Sequence, residues 1–158
     1  MAEAYRLAAL LQLRERAREE AEHDLARAQA GQTKAEQHLE ATQRFEAMCR
    51  AKVDEGRDQL YSGEGLTIGL IQNREQFLKR LVAEHEDAEG QVRQAEQGVA
   101  QAKEKVREAN EALVLAKQEE EALIKHREKW EKEQKTIKRR REEDEADDIA
   151  QTMWRNKS

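Results

Sequence analysis

The chain has 158 residues with no proline and one cysteine; 40% of them are charged, 4% are aromatic, and the formal net charge is −5. Val, Ile, Leu and Phe are too few to fill a thick globular core, and closely interspersed charges of both signs do not suit a general nucleic-acid binder, which is basic on one face. The lone Cys49 excludes an intrachain disulfide and fits a reducing compartment.

Residues 2 to about 61 are expected to form the first helix. Its start, with Ala8-Ala9-Leu10-Leu11 flanked by Glu3 and Arg14-Glu15-Arg16, is too short and too charged for a signal sequence or a membrane span. Alternating steps of three and four from Ala4 give a mostly apolar seam through Leu7, Leu11, Ala21, Leu25, Ala28, Ala35, Leu39, Cys49, Val53 and Leu60. Such a charged composition also reads as disorder, but a 3.5-residue apolar repeat without proline argues for supercoiled helix.

Ser62-Gly63-Glu64-Gly65 is the strongest breaker cluster, and a turn is predicted over 62–66. The second helix is predicted over about 67–150, with a cleaner seam from Ile71 through Leu78, Leu81, Ala88, Val92, Ala95, Val99, Ala102, Val106, Leu113, Ala116, Leu123, Trp130 and Ile137. The two seams become mirror images if residue i faces about residue 127 − i, although a slip of one heptad pairs almost as well. The expected fold is therefore all-α, a single elongated antiparallel two-helix coiled-coil hairpin over 1–158 with a longer C-terminal helix. At ~1.5 Å per residue the arms would span ~90 Å and ~125 Å. Residues after about Arg127 would overhang, and 151–158 would fray for want of a seam. Fraying is also expected at Gly31, Gly56, Gly90 and Gly98, since glycine costs about 1 kcal/mol inside a helix.

Nothing in the chain reads as catalytic. Gly63, Gly65 and Gly69 follow a helix and lack the Lys-Ser/Thr of a phosphate loop, so they read as turn residues. His23, His38, His85 and His126 are scattered, which argues against a metal site, and no cofactor is expected. Cys49 lies on the seam as an inert buried thiol. The overhang carries a basic block, Lys135–Arg141, followed by an acidic one, Glu142–Asp148. The basic block reads as a solvated helix face or as a contact for an acidic protein; the acidic block beside it would repel phosphate. Apolar residues off the seam gather in two groups: Tyr5, Leu10, Leu13, Leu115 and Ile124 towards the open end, with Tyr5 facing the region of Ala122, and Phe45, Met48, Tyr61 and Phe77 towards the turn, with Phe45 about level with Val82. Aromatic-bearing patches on a polar rod suggest docking to partners, beside the plainer reading that they cap the hairpin core.

Tyr5-Arg6-Leu7, Leu11-Gln12-Leu13-Arg14, the run Lys125-His126-Arg127-Glu128-Lys129-Trp130 and the acidic stretch after the basic one resemble the YscO/FliJ-type stalk proteins of bacterial type III secretion systems, the virulence branch more than the flagellar one. The resemblance covers the whole chain, without the proline some relatives carry near the start. It implies a non-enzymatic, monomeric cytoplasmic protein at the base of the secretion apparatus, with no nucleic acid bound and no direct membrane insertion. It further implies that the open end enters the hexameric secretion ATPase and promotes its activity, through Tyr5, Leu10, Leu13, Arg14, Leu115, Ile124, Lys132, Lys135, Lys138, Arg139, Arg140 and Arg141. Phe45, Met48, Tyr61 and Phe77 would serve the export gate protein and secretion chaperones. Two other readings of the residues are a structural coiled-coil scaffold or parallel dimer, and a holdase-like hairpin gripping unfolded clients.

Overall fold

Two helices account for almost all of the computed structural model, which describes residues 5–157: α1 (Ala8–Gln59) and α2 (Ile68–Lys157). They form the expected all-α hairpin. Ala4, the first predicted seam position, lies outside the described residues. The connection is closed by local chemistry. Gly63 and Gly65 adopt φ values of 96° and 69°, a left-handed conformation that glycine reaches without a Cβ clash. Thr67 opens α2 as its N-cap, its Oγ1 accepting the Leu70 N–H at 3.1 Å. At the end of α1, the Ser62 hydroxyl and N–H both donate to the Gln59 carbonyl.

The chain divides into two compact units, one of Met1–His23 with Glu111–Ser158 and one of Asp24–Asn110. Among the described residues, every buried apolar one falls on the predicted seams. In the first unit these are Leu11, Ala21 and Leu113; in the second, Cys49, Val53, Leu81, Ala88, Ala95 and Val99. The core is thin, and its deepest side chain is the single methyl of Ala88. Thr42, also buried on the seam, satisfies its hydroxyl by donating to the Leu39 carbonyl at 2.8 Å.

The register is shifted by one heptad from the mirror relation expected from the glycines. In the second unit Glu46 meets His85, Gly56 lies against Leu78 and Leu81, and Arg74 reaches the Gln59 and Leu60 carbonyls. In the first, Arg14 meets Glu119 and Tyr5 meets His126 and Trp130. Within each unit, residue i thus lies level with roughly residue 134 − i. Two interactions favour this offset. Arg74 Nη1 donates to the Gln59, Leu60 and Ser62 carbonyls at 2.8, 3.3 and 2.8 Å, adding to the Ser62 bonds on Gln59 and engaging the Leu60 and Ser62 acceptors just past the helix end. Gly56 provides the space in which Leu78 and Leu81 approach, since a Cβ there would stand 3.2 and 3.3 Å from their methyls.

The helix ends also differ from expectation. Gly31, Gly56, Gly90 and Gly98 do not interrupt their helices, and α2 remains helical through Lys157 instead of fraying from 151. Gln151, Met153, Arg155 and Lys157 favour helix without packing, and no proline or glycine stops it.

Candidate functional site

In the first unit, the heptad offset builds an aromatic group that links the start of the chain to α2. Tyr5 sits half-buried just before α1, its ring 5.7 Å from that of His126 and 5.4 Å from that of Trp130. The Tyr5 hydroxyl and His126 Nδ1 are hydrogen-bonded at 2.6 Å. The sequence placed Tyr5 opposite Ala122; the partners are found one and two turns further along α2, and the seam position of Trp130 was the available signal. Behind this group lie two arginine contacts. Arg14 binds Glu119 at 2.7 Å. Arg18 binds both Glu22 and Glu120, and its guanidinium is raised above its ordinary pKa by the hydrogen bond to Glu22 and then by that to Glu120.

The other residues assigned to the open end divide by exposure. Leu10 and Ile124 are half-buried, whereas Leu13 and Leu115 are exposed. Lys132, Lys135, Lys138, Arg139, Arg140 and Arg141 are all exposed along α2. Where the basic block meets the acidic one, Arg139 pairs with Glu143 at 4.0 Å. The side chains of Lys138, Arg140 and Arg141 have no described partner. Every residue from Ile137 to Lys157 is exposed, including the apolar Ile137, Ile149, Met153 and Trp154.

In the second unit, Phe45, Met48, Tyr61 and Phe77 are exposed. Phe77 lines a shallow groove with Lys52, Glu55, Gln59, Leu81 and Glu84, and the Arg80 guanidinium lies 5.7 Å from its ring centre. Phe45 and Met48 precede Lys52 and Glu55 by one heptad, so they continue the same flank of α1. Val82 lines a separate groove with Arg57 and Lys79; the heptad shift sets Phe45 about level with Glu89 in place of Val82. Leu66, Ile68 and Leu70 join Tyr61 as exposed apolar residues around the turn. Sequence reading missed them because, in the mirror register, the start of α2 would stand beside α1; in the observed one its first two turns extend beyond the end of α1.

No described helix is long and apolar enough to cross a membrane. Comparison with known proteins gives one consistent result. The family model described as YscO-like protein matches residues 2–158. Among solved structures, that of CT670 from Chlamydia trachomatis, a proposed YscO homologue, superposes with a TM-score of 0.81 at 21% identity, covering 96% of this chain and 94% of that one. At that identity the likeness supports the fold. No curated protein matches this sequence.

Proposed function

This chain belongs to the YscO-like family, and from that premise we propose that it is a non-enzymatic stalk of a bacterial type III secretion system, acting in the cytoplasm at the base of the apparatus. Its open end enters the ring of the hexameric secretion ATPase and promotes hydrolysis. The exposed aromatic and apolar residues of the second unit serve the export gate protein and empty secretion chaperones.

The observation that carries this reading is the run Ile137–Lys157, which is helical and exposed on all its residues. A helical run this exposed draws its stability mainly from propensity, and Ile137, Ile149 and Met153 present apolar surface along it. A shaft inside a six-fold ring must touch successive subunits without locking to one. Exposed ion pairs, each worth about 0–1 kcal/mol, suit that requirement, and Lys138, Arg140 and Arg141 have charges uncommitted to a described partner.

The test is steady-state hydrolysis by the purified cognate ATPase with and without the chain. The wild-type chain is expected to raise turnover, and the K138E/R139E/R140E/R141E variant to lose most of that stimulation while remaining helical. Equal stimulation by both would remove the basic block from the mechanism; no stimulation by either would remove the ATPase reading.

A further inference from the structure

One group of side chains serves neither the proposed ATPase contact nor the aromatic patches. It lies within the second unit, where α1 contributes Glu46 and α2 contributes His85 and Glu89. His85 Nε2 stands 2.8 Å from Glu46 Oε1 and 3.3 Å from Glu89 Oε1. The three donor atoms all lie within 4.8 Å of one another. The side chains of Glu46 and His85 retain 18% and 17% of their exposure and that of Glu89 retains 45%, so two donors are largely withdrawn from water and the third opens to it.

We infer that Glu46, His85 and Glu89 form a site for one divalent transition-metal ion of the zinc class, which clasps α1 to α2. The reasoning is electrostatic and geometric. An imidazole nitrogen carries at most one proton, yet two carboxylate oxygens converge on this one. A divalent ion supplies two positive charges and accepts a lone pair from each of the three atoms. Metal–ligand bonds of about 2.0–2.2 Å in a tetrahedral shell put neighbouring donors about 3.3 Å apart. The Glu89 contact already matches that spacing, and the Glu46 contact needs to open by a few tenths of an ångström. His85 and Glu89 are one turn apart, so the helix itself fixes two ligands on one face. Glu46 is steadied from behind by Arg50, 3.8 Å from its other oxygen, which leaves Oε1 for the ion. Water would take the fourth position on the Glu89 side. One imidazole with two carboxylates favours zinc, cobalt or nickel over magnesium and calcium, which take all-oxygen shells.

The experiment is titration of the untagged full-length chain with zinc chloride by calorimetry, and with cobalt chloride by visible absorption, which reports a tetrahedral shell. The expected result is one equivalent bound, no heat from magnesium chloride, and an apparent affinity at least tenfold weaker in H85A and in E89Q. Glu89 is the most exposed of the three, and E89Q serves as the second variant should H85A lose helicity. Zinc should also raise the melting temperature of the wild-type chain and not that of a helical variant. Absence of saturable binding, or binding of equal strength in the wild type and a folded variant, would overturn the site by assigning any uptake to the other histidines.

Discussion

Arg74 shows how one side chain fixes a register that apolar pairing leaves open. Its guanidinium nitrogen faces the carbonyls of Gln59, Leu60 and Ser62, where α1 ends without a Schellman glycine and with Arg57 the only basic residue in its last turn. Charge-assisted hydrogen bonds of this kind are worth more than neutral ones, though water competes at a half-exposed position. Arg74→Ala is expected to lower stability by about 1–2 kcal/mol, measured by urea denaturation. Amide exchange should quicken around residues 57–62 while the rest of the chain is unchanged. A loss below ~0.3 kcal/mol would mean that Gly56 and the Leu78–Leu81 contact hold the register unaided.

Within each helix the glycines offer a sharper test, because they occupy unlike surroundings. Gly31 and Gly98 have open space where a Cβ would stand, whereas Gly56 faces the Leu78 and Leu81 methyls. Replacing glycine by alanine inside a helix is worth roughly 0.5–1 kcal/mol. Gly31→Ala and Gly98→Ala should each stabilise by about that much, and Gly56→Ala should give no gain, since the leucines must yield; thermal denaturation of the three variants decides this, and an equal gain in all three would show that the seam has slack at Gly56. The same contrast explains what was legible beforehand. The seam residues were readable because burial recurs every three or four positions, and Ala21, Cys49, Leu81, Ala88 and Val99 all lie where the spacing put them. The turn was readable because its two glycines stand in the strongest breaker cluster, and Gly63 and Gly65 take the positive φ that glycine allows. The register was not, because a seam of alternating large and small residues pairs nearly as well after a shift of seven: Ala21 moves from Val106 to Leu113, and Ala35 from Val92 to Val99. Everything dependent on the register was therefore hidden, including the Tyr5–His126–Trp130 group and the meeting of Glu46 with His85. Which off-seam residues would be exposed needed no register, and Phe45, Met48, Leu13 and Leu115 are exposed accordingly.

At the scale of the whole molecule, the seam of each unit is closed by two segments of one chain, so no second copy is needed to cover it. Light scattering is expected to give the mass of one chain, 18.3 kDa; twice that mass would favour the scaffold reading over the stalk. The exposed stretch of α2 then separates folding from function. Residues 137–157 are all exposed, so deleting everything after Thr136 removes no buried residue. The truncated chain should keep its melting temperature within about 2–4 °C of the full one, the shift that ~1 kcal/mol produces in a domain of this size. If the stretch is the part that enters the ATPase ring, the same deletion should abolish stimulation of hydrolysis. A truncated chain that stimulates fully would place the contact in the Tyr5–His126–Trp130 region instead. One that melts far lower would show that the stretch contributes packing to the hairpin, contrary to its exposure.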